Sequence, residues 1–348
     1  MTITRSFTLK SFWRSLSITH NVRITLLLTV LMVCTAAIAL IYGSVPLSLT
    51  EIWQALWRQG SSINQTIIWD LRLPRIAIAM TVGAALGMSG ALLQGLLRNS
   101  LASPFLLGIS AGAGLVVVVL VAFGVLLPWV PAAAWLGAVL TTVFVYLLAR
   151  TPTGIAVERL ILAGVAVNSL FGALQTVLLL LSDDGRIQQA LNWLIGSFNG
   201  RTWAELGVVF PYMALALVVG GLLSRQMNLL SLGDDLAVGL GVSLGRSRLL
   251  IGSCATLLAA CAVSISGLIG FVGLVVPHGV RLLVGTDHRW VLPLSALGGA
   301  WVLTLADLMS RLGSVELPVG AVTALLGAPM FIWLLYRRKE NQSLGGMG

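Results

Sequence analysis

Apolar runs of about twenty residues follow one another along this chain, separated by polar breaks, and within each run the hydrophobic positions are continuous rather than alternating. A run of that length crosses the hydrocarbon core of a bilayer as an α-helix, whose backbone groups are satisfied within the segment itself. Barrel strands are shorter and alternate, so they do not fit. The pattern predicts ten spans, at roughly 24–42, 73–96, 104–124, 131–149, 159–181, 205–224, 247–266, 267–284, 291–310 and 317–336. The fold class is therefore an all-α polytopic membrane helix bundle of about ten transmembrane helices. Residues 1–23 form an N-terminal cytoplasmic segment, 24–336 a single transmembrane domain with a cytoplasmic connection at 225–248, and 337–348 a cytoplasmic tail. The loops are short, so no soluble domain is inserted.

Charge orients the bundle, because Lys and Arg are retained on the cytoplasmic side. One side holds Arg5, Lys10, Arg14, Arg23, Arg98, Arg150, Arg159, Arg225, Arg246, Arg248, Arg281, Arg289, Arg337, Arg338 and Lys339. The other holds Arg58, Arg72, Arg75, Arg186, Arg201 and Arg311. The richer side, with both termini, is assigned to the cytoplasm. Only 9% of the residues are charged against 57% hydrophobic, and this asymmetry accounts for the net charge of +9. A nucleic-acid binder would gather such charge on one soluble face. Arg5 to Arg23 preceding an apolar stretch imitate a secretory signal. That stretch is long and lacks a well-placed small-residue cleavage site, so an uncleaved first span is expected.

Missing residues narrow the chemistry. The two lysines, Lys10 and Lys339, do not follow the glycines of a phosphate-binding loop, so any ATP must be spent by another polypeptide. His20, His278 and His288 are too scattered for a zinc centre. Cys34 is alone, while Cys254 and Cys261 stack on one helix face, supporting neither a metal site nor a disulfide framework. GISAG (108–112) and GVSLG (241–245) match the form of a serine nucleophile elbow, but that motif has mechanical meaning only at a strand-to-helix turn with a histidine base in reach, and these sit in or beside membrane helices. Helix packing explains the glycines better. Gly83 with Gly87 and Gly108 with Gly112 are small-xxx-small pairs, and Gly267, Gly270 and Gly273 continue the theme.

Polar residues inside the spans mark interfaces or paths. Asn168, Gln175 and Ser182 recur every seven residues on the fifth span, with Ser169 and Thr176 beside them, and that face lines a cavity or a helix interface. Asp307 lies four residues before Arg311 near the outer end and reads as a local ion pair rather than a proton relay. In RQMNLLSLGDDLAVGLGVSLGRSR (225–248), Asp234 and Asp235 are placed to cap a short helix on which Leu236 and Leu240 share a face, with Gly239 and Gly241 to end it. An acidic start favours a protein-docking element over a membrane-surface anchor.

These residues carry a resemblance. Arg72-Leu73-Pro74-Arg75 leads into GAALGMSGALLQGLLRNSLASPFLLGISAGA (83–113). LAG (162–164), NWLIGSF (192–198), LGDDLAVGLGV (232–242), GLIGFVGLVVPHGVR (267–281), LPLSALGGA (292–300), Asp307 with Arg311, and LPVGAVTALLGAPMF (317–331) follow in order. Across nearly its whole length the chain resembles the permease subunit of type II ATP-binding-cassette importers, the iron-siderophore, haem and cobalamin uptake family. One departure is visible: Asn99-Ser100-Leu101-Ala102 stands where the family commonly has Asn-Pro-Leu-Ala, which frees a φ and restores a backbone donor.

The resemblance implies a multi-pass permease of the bacterial plasma membrane that works as a homodimer or with a related permease. It binds no cofactor itself, ATP and Mg being held by two cytoplasmic ATPase subunits. It implies an ATPase-coupling loop at Leu232, Gly233, Asp234, Asp235, Ala237, Gly239, Leu240 and Gly241. An extracytoplasmic substrate-binding protein would dock through Arg72, Arg75 and Arg311, whose other explanation is snorkelling or pairing with Asp70 and Asp307. Asn168, Gln175 and Thr176 are candidates for the translocation path. Gln94, Asn99, Gly270, Gly273, Pro277, His278, Arg281 and Asp307 are structural or gating candidates, Pro277 being equally explained as a kink and His278 as packing. The expected cargo is an iron-siderophore, favoured on family frequency over haem and cobalamin. An ion-coupled carrier is the competing reading.

Overall fold

A computed structural model describes the backbone of residues 5–345 except 44, 152, 153, 156 and 314, and the side chains of 19–332 except 44, 152–157 and 314. Arg5, Lys10, Arg14, Arg337, Arg338 and Lys339 thus lie outside the described side chains. The described helices are α1 (Arg5–Ile41), α2 (Leu49–Leu56), α3 (Ser62–Thr66), α4 (Leu73–Leu96), α5 (Ile109–Phe123), α6 (Val130–Ala149), α7 (Val157–Leu180), α8 (Asp184–Ile195), α9 (Trp203–Leu222), α10 (Ser224–Leu230), α11 (Asp234–Gly239), α12 (Leu244–Ser266), α13 (Val272–Val284), α14 (His288–Ser310) and α15 (Val319–Gly345). A two-residue antiparallel pair, β1 (Arg150–Thr151) with β2 (Gly154–Ile155), joins α6 to α7.

Ten of these helices, α1, α4, α5, α6, α7, α9, α12, α13, α14 and α15, fall on the ten expected spans. Among the described residues seven segments are long and apolar enough to cross a membrane, while Ile109–Phe123, Val272–Val284 and Val319–Ile332 are shorter. Two expected spans are therefore interrupted. The run 104–124 begins as a single-turn helix at Pro104–Leu107 and restarts beyond Gly108, whose φ of 77° only glycine adopts freely. The run 267–284 is helical only from Val272, after Gly267 (φ 70°) and Phe271 (φ 66°) turn the chain. Continuous hydrophobicity conceals such breaks because the irregular backbone is buried in protein rather than exposed to lipid.

The connections are also richer than expected. Residues 43–72 and 182–204 are not short loops but carry α2, α3 and α8, and a π-helical turn at Ile67–Arg72 runs straight into α4. Two capping boxes explain where helices begin: Ser48 with Glu51 starts α2, and Thr202 with Glu205 starts α9.

Helix α4 is the central post, with 78% of its spanning window buried, followed by α12 at 72% and α14 at 67%; α7 reaches only 17% and so lies at the edge of the bundle. Glycine permits this centre. A Cβ at Gly83 or Gly87 would strike the carbonyl oxygens of Gly299 or Ser295 on α14, and a Cβ at Gly90 would strike that of Gly273 on α13. The small-xxx-small reading of Gly83 and Gly87 thus describes a real backbone contact. Gly112 performs the same service against Gly137 and Thr141 on α6. Gly270 does not, since its nearest neighbour would be Phe105 at 3.8 Å.

Candidate functional site

Three places gather the chemistry-bearing residues. The first is the cytoplasmic connection. Helix α11 presents Leu236 and Val238, with Leu232 and Leu240 flanking it, to the exterior, while Ala237 is fully buried beneath them. The expected cap is not made: Gly233, with φ 112°, is the N-cap residue, and no side chain caps the helix. Asp234 instead bridges Arg98 at 2.5 Å and Arg248 at 2.7 Å, and Arg98 also donates to the Leu230 carbonyl at 2.7 Å. Asp235 stays exposed. Gly239 closes the helix and Gly241, with φ 84°, turns the chain out of it, its N–H donating to Val238. An exposed apolar knob is thus tied by one carboxylate to the ends of α4 and α12.

Burial opposes the charge on Asp234, yet the hydrogen bonds and charges of Arg98 and Arg248 outweigh it and hold the carboxyl below its ordinary value. A carboxyl depressed on folding gives stability that is complete above the unfolded pKa, near 3.9, and is lost as pH falls through the lower folded value. Amide-exchange protection of 232–242, corrected for intrinsic rates, is therefore expected to stay constant from about pH 8 to 5 and fall only under more acid conditions. A loss near pH 6 would show that Asp234 does not hold the loop.

The second place is where α4 meets α13. The Gln94 amide donates to the Leu274 carbonyl at 3.0 Å, its oxygen accepts from Arg281, and Arg281 donates again to Ala91 at 3.2 Å. Gln94 and Arg281 therefore lock the half-helix α13 to the central post, and Gly273 lets the backbones touch. Buried Pro277 and part-buried His278 lie on the same helix. Asn99 shapes the turn after α4, its side chain accepting from the Leu101 N–H at 2.9 Å.

The third place is the outer end. Asp307, fully buried, takes Arg75 at 2.8 Å and Arg311 at 3.1 Å, and Arg75 also meets Glu316 at 2.5 Å. The expected pair of Asp307 with Arg311 is present, Arg75 joins it in the pairing the sequence offered as the alternative to a docking role, and only Glu316 was not foreseen. Arg72 donates to the carbonyls of Leu40, Ile41 and Val45, capping the C-terminal end of α1 where unsatisfied carbonyls attract a cation. Arg72 and Arg75 are thus buried, Arg311 is part-buried, and all three are internally partnered rather than standing as free rim charges. They belong to helix ends because an unpaired guanidinium in a bundle is costly.

The polar stripe on α7 resolves into an interface. Asn168 donates to Phe105 at 3.1 Å and Gln175 to Ala111 at 3.0 Å, clamping α7 onto the Pro104–Leu107 turn and α5, whereas exposed Thr176 bonds back to Gly172 in its own helix. Of the translocation candidates only Thr176 faces outward.

Beside the outer charge network lies a mixed polar cavity of about 810 Å³ lined among others by Asn192, Trp193, Arg201, Glu205 and Glu316. Its floor is a glycine junction: Ser197 donates to Ser266 at 2.9 Å and Gly320 to Gly196 at 3.1 Å, joining the ends of α8 and α12 to the start of α15. Trp193 Nε1 and Arg201 Nε are buried without a hydrogen-bond partner among the described residues. Sequence reasoning missed Arg201 and Glu205 as cavity residues, although the Thr202-x-x-Glu205 capping signature was there to mark Glu205.

The comparisons agree with this architecture. The chain is 41% identical over 305 residues to the hemin transport system permease protein HmuU of Yersinia pestis, covering 85% of this chain and 91% of that one. It is 42% identical over 299 residues to the vitamin B12 import system permease protein BtuC of Vibrio cholerae, covering 84% and 89%. A solved structure described as an inward-facing metal-chelate type ABC transporter superposes with a TM-score of 0.81 at 36% identity, covering 90% of this chain and 99% of that one. The model of the FecCD transport family matches residues 28–337, so this chain is a multi-pass inner-membrane permease of that family.

Proposed function

We propose that this chain is the translocating subunit of an importer that carries a metal chelate, an iron-siderophore first among them, across the inner membrane. A second permease copy or a related permease pairs with it, separate ATPase subunits hold ATP and Mg, and an extracytoplasmic binding protein delivers the cargo. One observation carries the reading: α11 is an exposed apolar knob fixed by Asp234 to Arg98 and Arg248, so a push on it reaches α4 and α12 directly. The recess of about 810 Å³ supplies mixed polar surroundings at the outer end, in the volume range of small-molecule sites. The relatives named for hemin and vitamin B12 support a bulky chelate as cargo.

Uptake tests this reading. Cells lacking the gene and complemented with wild type are expected to accumulate labelled ferric siderophore, and Leu236→Asp is expected to abolish accumulation while the protein remains in the membrane. Restored uptake of hemin or cobalamin alone would replace the siderophore, and uptake that survives Leu236→Asp would remove α11 from the mechanism.

A further inference from the structure

An apolar cavity of about 430 Å³ lies between α4, α6 and α12 on the cytoplasmic half of the bundle and shares only Arg248 with the three places above. Its walls include Leu96, Val139, Val143, Leu249 and Gly252. Val143 is 50% exposed and Leu249 53%, so the cavity opens sideways between α6 and α12, toward the bilayer rather than into the protein. Its lining runs along α6 from Trp135 to Tyr146 and along α12 from Arg248 to Leu257. At 1.5 Å per residue those stretches are about 14–16 Å long, the depth of one leaflet of a hydrocarbon core about 30 Å thick.

Positive charge sits where a headgroup would be. Arg248 lines the cytoplasmic end of the cavity, and among the described residues its only hydrogen bond runs from Nη2 to Asp234. Arg150, exposed, ends α6 one turn beyond Tyr146, and Arg246, exposed, stands on α12 just before Leu249. Asp234 is already shared between Arg98 and Arg248. Exposed Glu158 and Asp235 lie on the same side and reduce the excess of positive charge without cancelling it.

We propose that this cavity binds a phospholipid of the cytoplasmic leaflet with an anionic headgroup, one acyl chain filling the groove between α6 and α12 and the phosphate meeting Arg248, Arg150 and Arg246. An apolar slot one leaflet deep with a cationic end has the shape and charge of a single lipid. Bound there, the phosphate faces the same Arg248 that holds Asp234, so the lipid stiffens the tether of α11.

Native mass spectrometry of the full chain in detergent, with phosphatidylglycerol or phosphatidylcholine added, tests the site. Wild type is expected to retain phosphatidylglycerol in preference to phosphatidylcholine by about five-fold or more, each arginine near a membrane surface being worth about that factor. Gly252→Leu fills the groove, and a Cβ there meets only Leu96 at 3.8 Å, so it is expected to fold and to lose both lipids. Val139→Phe, on the facing wall, is the second filling variant. Arg150→Gln with Arg246→Gln is expected to cut the preference several-fold while leaving an acyl chain bound. Retention unchanged in both filling variants overturns the site, and equal retention of the two lipids by wild type overturns the anionic headgroup.

Discussion

Replacing Gly90 with alanine is expected to lower the unfolding midpoint of the bundle sharply. On helix propensity alone, Gly→Ala within a helix should stabilise by up to about 1 kcal/mol. Here the new Cβ would stand inside contact distance of the Gly273 carbonyl on α13, which is backbone and cannot rotate away. The two helices must separate, and the Gln94 and Arg281 hydrogen bonds between them go with the contact. Overpacking alone costs about 1–3 kcal/mol, and at a backbone contact in the central helix the loss lies at the upper end. Gly87→Ala, which drives a Cβ into Ser295, is expected to behave alike. Gly252→Ala is the control: with open space around it, alanine there leaves the unfolding midpoint in detergent unchanged or raises it. A wild-type midpoint for Gly90→Ala would mean that α4 and α13 do not touch.

The second large effect is at Asp307. Asp307→Leu leaves the guanidiniums of Arg75 and Arg311 buried without their shared partner, and breaking a buried pair costs about 3–5 kcal/mol. The substitution is expected to lower the midpoint sharply and to reduce the amount of protein in the membrane. Adding Arg75→Met and Arg311→Met removes the orphaned charges, and stability is expected to return, since buried ion networks are often replaceable by apolar residues. Glu316, partly exposed, can then turn to solvent. In an ion-coupled carrier the reverse is expected: Asp307→Leu would leave a stable protein that fails to transport, and the triple variant would remain inactive.

Much of this molecule is legible in its sequence, for reasons specific to lipid. Apolar continuity fixes the number of spans because water is absent and the backbone must pair within each segment. The same continuity hides the breaks at Gly108 and at 267–271: a half-helix buried among neighbours is as hydrophobic as a whole one. The glycine pair Gly83 and Gly87 is legible as a packing motif, yet its partners on α14 are not, because spacing says nothing about which helix comes near.

The charged residues divide in the same way. Arg311 with Asp307 is a local i,i+4 relation and can be read, whereas Arg75 lies 232 positions away and is joined only by the fold. Arg72 binds backbone carbonyls of α1, which leave no trace in side-chain pattern. Asp234 was legible as acidic at a helix start, but two arginines brought in by α4 and α12 compete better for it than the helix N–H groups do. Glu205 could have been found from the capping box alone.

The central claim is that this permease is driven through its 232–241 connection by a separate ATPase. Co-purification of the tagged chain from its native membrane, with mass spectrometry of the bound proteins, tests it most directly. Wild type is expected to bring down a cytoplasmic ATPase, and Asp235→Arg, which reverses charge on the exposed face of α11 without touching the Asp234 tether, is expected to lose it. Recovery of no ATPase from intact membranes, or equal recovery with Asp235→Arg and Gly233→Asp, would contradict the account.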